Sequence, residues 1–132
     1  MMQAVLKIWD ETPGQGKRAA AELKLASERV TAAELIRRRV EAEVEAHNAK
    51  AGAVFQGLIQ PGDSERVLNG YKLKKRRKLD PENQVKVALE AFRKSTFILL
   101  FDDRQIEDPD EYVVVTPDSE AVFLKLVPLV GG

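Results

Sequence analysis

At 132 residues with 44% hydrophobic content, the chain is long enough for one modest core and too short for several domains. It has no cysteine and a single histidine, which excludes disulfides, thiolate nucleophiles and cysteine zinc sites and takes support away from His-ligated metals and Ser-His-Asp chemistry. Basic and acidic residues balance at 21 each, but the signs are segregated: residues 66–94 carry ten basic and three acidic residues, residues 102–120 one basic and eight acidic.

The start reads as a β-hairpin. "AVLKIWDE" sets Val5, Lys7 and Trp9 against Leu6 and Ile8, "AELKLASERV" sets Leu23 and Leu25 against Lys24, and "TPGQGKR" supplies the turn. "TAAELIRRRVEAEVEAHN" follows as a helix, opened by a Thr31–Glu34 capping box and striped by Leu35, Ile36, Val40 and Val44. His47 falls near its end and reads as a solvated or capping residue rather than a catalytic one.

From about Ala49 to Arg66, punctuated by Gly52, Gly57 and Pro61-Gly62, the pattern is that of a loop, and Asn69-Gly70 suggests a tight turn. "DPENQVKVALEAFRK" predicts a second helix with Asp80 as N-cap, Pro81 at its first position and Val85, Ala88, Leu89 and Phe92 on one face. Three apolar β-prone segments close the chain: "TFILLF", "EYVVVTP" and "EAVFLKL", the last with Val122, Leu124 and Leu126 expected inward. This order is that of an α+β domain. No apolar run is long enough to cross a membrane, and "MMQAVLKIWDE" has no leader-like pattern, so a cytoplasmic protein is expected.

"LLFDDRQIEDPDEYVVVTPDSEAVFLKLVPLVGG" resembles the C-terminal half of ubiquitin, where a strand, a turn and a Gln-aliphatic-Glu-Asp stretch precede the last strand and a tail ending in Gly-Gly. The front half is similar in layout only, a hairpin running into a helix opened by threonine. The resemblance covers residues 1–48 and 96–132 and implies a ubiquitin-like β-grasp domain over residues 1–126. A helical, basic insertion at about 49–95 would separate the main helix from the third strand, and residues 127–132 would form a flexible tail.

By the same resemblance the chain is a substrate, not an enzyme, with no cofactor or metal of its own. Gly131 and Gly132 would be the conjugation site, since residues without Cβ let the main chain approach ATP and then a thiol. Val127, Pro128, Leu129 and Val130 would be read by the activating enzyme in place of ubiquitin's arginines, with Pro128 keeping the tail extended. The implied partners are an activating enzyme, a conjugating enzyme, a deconjugating peptidase and amines on target proteins. Leu100, Phe123 and Arg104 fall where ubiquitin has its apolar patch and a much-used acceptor lysine. Phe123 is expected exposed from its strand parity, whereas Leu100 stands as either exposed or core.

The run Lys72, Lys74, Lys75, Arg76, Arg77 and Lys78 reads as a solvated charged face rather than a nucleic-acid site, because only Tyr71 accompanies it. Its charge could instead meet the acidic "DDRQIEDPDE" of a second copy, a self-association sensitive to salt. Two readings compete with a modifier: a β-grasp sulfur carrier forming a C-terminal thiocarboxylate, and a binding module that is never conjugated.

Overall fold

The computed structural model describes residues 4–50, 52–67, 70–75 and 77–126. In chain order these form β1 (Ala4–Thr12), β2 (Gly16–Leu25), β3 (Arg29–Thr31), α1 (Ala32–Lys50), β4 (Val54–Phe55), β5 (Ser64–Val67) and β6 (Gly70–Leu73). Then come α2 (Pro81–Arg93), β7 (Phe97–Phe101), β8 (Arg104–Ile106), β9 (Tyr112–Val114) and β10 (Glu120–Lys125). The fold is α+β, and the chain divides into two units: residues up to Leu35 with those from Ala91 onward, and Ile36–Glu90.

The first unit is built on a mixed five-stranded sheet in the order β2-β1-β10-β7-β8, in which only the β1–β10 pair is parallel. Alternation decides which side chains face its core. Leu6 and Ile8 on β1 are buried while Val5 and Lys7 are exposed, and Leu6 sits opposite the buried Leu23 of β2. The Phe97 ring lies 5.9 Å from that of Phe92 and 5.7 Å from that of Phe123, making an aromatic centre for this core. In the β1–β2 turn Gly14 and Gly16 have φ of 82° and 76°, the left-handed conformation that glycine adopts without a Cβ clash.

A tighter turn joins β7 to β8 through Asp102 and Asp103, both at positive φ, as a two-residue hairpin matched to strand twist requires. Asp102 anchors it to the start of β10: its N–H donates to the Glu120 carbonyl at 3.0 Å and its carboxylate accepts from the Glu120 N–H at 2.9 Å. A short β3–β9 pair completes the unit, and its register leads directly into α1. The predicted capping box is present in both directions, Thr31 N–H to Glu34 Oε2 at 2.9 Å and Glu34 N–H to Thr31 Oγ1 at 3.1 Å. Two further first-turn N–H groups, of Ala32 and Ala33, donate to the carbonyls of Glu111 and Pro109.

The second unit holds a small antiparallel sheet in the order β4-β6-β5 within the stretch whose first part reads as loop. Val67 pairs with Gly70, so the hairpin connection is residues 68–69, one position earlier than the Asn69-Gly70 turn expected from sequence. Gly70 already belongs to the strand, and a Cβ there would collide with the Phe55 carbonyl oxygen.

This sheet is short, so side chains of α1 satisfy backbone groups that no ladder reaches. Glu43 Oε1 accepts from the Leu58 N–H at 3.1 Å. Asn48 brackets Leu79, donating to its carbonyl at 3.0 Å and accepting from its N–H at 2.8 Å. His47 is buried at 7% exposure, not solvated, with its ring edge-on to Phe55 at 5.5 Å. Its Nε2 lies 3.1 Å from the Arg77 carbonyl, which can only accept, so Nε2 is the donor in this bond. α2 starts as expected, with Asp80 Oδ1 accepting from the Glu82 N–H at 3.2 Å and with Val85, Ala88 and Phe92 buried. No helix among the described residues is long and apolar enough to cross a membrane.

Candidate functional site

β10 carries Phe123 and sets the register of Leu100 on β7. It is an interior strand, with β1 parallel on one side and β7 antiparallel on the other. Directly paired residues share a face of a sheet. Phe123 pairs with Asp10 and with Leu99, both buried, and is itself 0% exposed. The expectation that Phe123 lies on an outer docking face is therefore wrong, and so is the inward placement of Leu124 and Leu126, which are half-buried and exposed respectively.

The physical reason is an ion pair on the core side. Lys125 should mark the solvent face by its charge, yet its Nζ lies 3.6 Å from the carboxylate of Asp10, whose side chain is only 8% exposed. With that charge compensated, Phe123 and Lys125 share the inward parity and leave Val122 and Leu124 outward.

Register then defines the outer face. Val122 stands between Trp9 of β1 and Leu100 of β7, and Leu124 between Glu11 and Ile98. Leu100 is thus a half-buried residue of the outer face rather than core, and Val122 beside it is recessed between its neighbours. Arg104 does not join them. It pairs with Phe101, on the other parity of β7 from Leu100, and its guanidinium is ion-paired to Glu111, while Gln105 is the residue opposite Leu100. Of these three residues only Leu100 lies on the outer face, which it shares with Leu124, Ile98 and Trp9.

Around Trp9 the hairpin is irregular. Trp9 pairs with Ala19 and Ile8 with Ala21, so Ala20 is the extra residue of a β-bulge. Here a pocket of about 410 Å³ opens, lined by Trp9, Ala19 to Ala21 and the Lys7–Glu22 pair. The Lys17 ammonium lies 4.8 Å above the indole ring, and the buried Trp9 Nε1 has no hydrogen-bond partner among the described residues.

The tail residues Val127, Pro128, Leu129, Val130, Gly131 and Gly132 lie outside the described residues, and Leu126, exposed at 41%, is the last one described. In the basic run, Lys72, Lys74, Lys75 and Lys78 are exposed, and none is ion-paired to a described carboxylate. Arg77 is structural instead: half-buried, it donates to the Gly62 carbonyl while its own carbonyl faces His47. Arg76 lies outside the described residues. No protein-family model, curated protein or solved structure matches this chain.

Proposed function

We propose that this chain is a ubiquitin-like protein modifier, joined through the carboxylate of Gly132 to amines on target proteins. The observation that carries the reading is the sheet order β2-β1-β10-β7-β8, with β10 central, parallel to β1 and running toward the diglycine stretch. A hairpin, a helix opened by Thr31 and a last strand inserted between the first strand and the third major one are compatible with a β-grasp. The segment at about 49–95, between α1 and β7, would be the insertion that ubiquitin lacks.

The chemistry belongs to the partners and the electrophile to this chain. An activating enzyme lets the Gly132 carboxylate attack the α-phosphorus of ATP, releasing pyrophosphate and forming an acyl-adenylate. A cysteine thiolate then displaces AMP, and a target amine finally displaces the thiol to leave an amide. A chain extending past Gly132 would first need a peptidase cut after that residue. With no arginine among residues 127–130, the activating enzyme must present an apolar channel. The docking patch for such enzymes is Leu100 with Leu124 and Ile98, which replace Phe123 in that role.

The test is incubation with a candidate adenylating enzyme and ATP. A thiol-sensitive adduct that disappears when Gly132 is deleted is the expected result. Exchange of a carboxylate oxygen for sulfur would identify a sulfur carrier instead, and neither product would leave a binding module.

A further inference from the structure

The exposed lysines of the second unit and the acidic segment of the first are two surfaces of opposite sign. We infer that the lysine-bearing surface around β6 binds the acidic segment Asp102–Glu120 of a second copy of this chain.

The lysine side is a sheet strand and the loop leaving it. Lys72 projects from β6, Lys74 and Lys75 follow it, and Lys78 precedes the Leu79 amide that Asn48 holds. All four are exposed without an ion pair to a described carboxylate, although Glu65 stands opposite Lys72 in the sheet register.

The acidic side is equally uncompensated. Of its eight carboxylates only Glu111 and Glu120 have an ion-pair partner among the described residues, Arg104 and Lys17, while Asp103, Glu107, Asp110 and Asp118 are all exposed. Hydrogen bonds from the backbone to Asp102 and Asp108 hold these loops in shape, so little ordering opposes binding.

Charge balance selects a second copy over other partners. The formal net charge is zero, so two copies approach without net repulsion, and each lysine surface can meet an acidic segment already present at the same concentration. A single-stranded nucleic acid would meet the lysines with no aromatic residue but Tyr71 beside them to stack on. The contact resembles a rim of charged pairs, whose strength falls with salt.

Sedimentation of the intact chain at about 25 mM and about 500 mM NaCl is the first measurement. Association above the 14.7 kDa of one chain at low salt, weakened at least about tenfold in dissociation constant at high salt, is expected. Two triple variants carry the decisive arm: Lys74→Glu, Lys75→Glu and Lys78→Glu on one side, Glu107→Lys, Asp110→Lys and Asp118→Lys on the other. None of the six side chains makes a described hydrogen bond, and circular dichroism checks that both variants fold. Neither variant should associate with itself, and the two variants mixed together should associate again at low salt. A wild-type monomer at low salt overturns the inference, as does failure of the mixed variants to associate. So does a monomer that binds duplex DNA through the same lysines, which would identify a polyanion site. Because no step uses Gly132, these outcomes are independent of whether the chain is a modifier.

Discussion

The two units of this protein hold their backbones in different ways. In the first, long strand ladders pair the sheet's main chain and the core is apolar: the rings of Phe97 and Phe123 meet, and Leu6, Ile8 and Leu99 are buried as well. In the second, strands of two to four residues pair little of the main chain. Polar side chains of one helix, Glu43, His47 and Asn48, reach out to backbone groups at Leu58, Arg77 and Leu79. Deleting volume should therefore damage the first unit most, and deleting a polar group should damage the second.

The largest effect is expected from Phe123→Ala. Removing a fully buried ring from an interior strand costs about 3–5 kcal/mol, read as a lower denaturant midpoint with faster amide exchange in β1, β7 and β10. Its neighbour gives the control. Leu124→Ala removes a half-buried side chain on the other face and should cost about 1 kcal/mol or less. Equal losses at the two positions would overturn the strand parity given above, and with it the outer face of Leu100 and Leu124.

Lys125→Met should follow in size. It withdraws one partner of Asp10; breaking a buried pair costs up to about 3–5 kcal/mol, and the 26% exposure of Lys125 places this case below that range. Adding Asp10→Leu to it should restore part of the loss, since replacing both partners removes the buried charge. A double variant less stable than Lys125→Met alone would mean that Asp10 contributes through something other than this pair.

That pair also explains what was legible in the sequence. Hairpin, both helices, capping box and final strands follow from local patterns that the tertiary structure leaves unopposed, and Thr31, Glu34, Asp80 and Pro81 act where the spacing places them. The face of β10 was not legible, because Val122, Phe123 and Leu124 are apolar on both parities and the one polar marker, Lys125, is compensated from a strand more than a hundred residues away. The short strands β3 and β8 escaped for another reason: three residues show too little alternation, and each exists because a neighbour presents a matching edge. His47 was misplaced because a helix-terminal histidine has no local feature that distinguishes a carbonyl thirty residues ahead from water.

The sharpest test of the second unit is Asn48→Ala. One amide side chain serves both backbone groups of Leu79, so its loss leaves an N–H and a carbonyl without their partners at a buried residue. Each net hydrogen bond is worth about 1 kcal/mol and each unsatisfied group costs about 1–3 kcal/mol, so a total of about 2 kcal/mol allows for partial rehydration. Asn48→Asp separates the two halves of the contact: the carboxylate still accepts from the Leu79 N–H but cannot donate to its carbonyl, and a smaller loss is expected. Hydrogen exchange should show the damage at Leu79 and in β4 to β6, with β1, β7 and β10 unchanged. If Asn48→Ala instead speeds exchange uniformly through the five-stranded sheet, the two units unfold as one, and the contrast between ladder-held and side-chain-held backbone describes their architecture but not their stability.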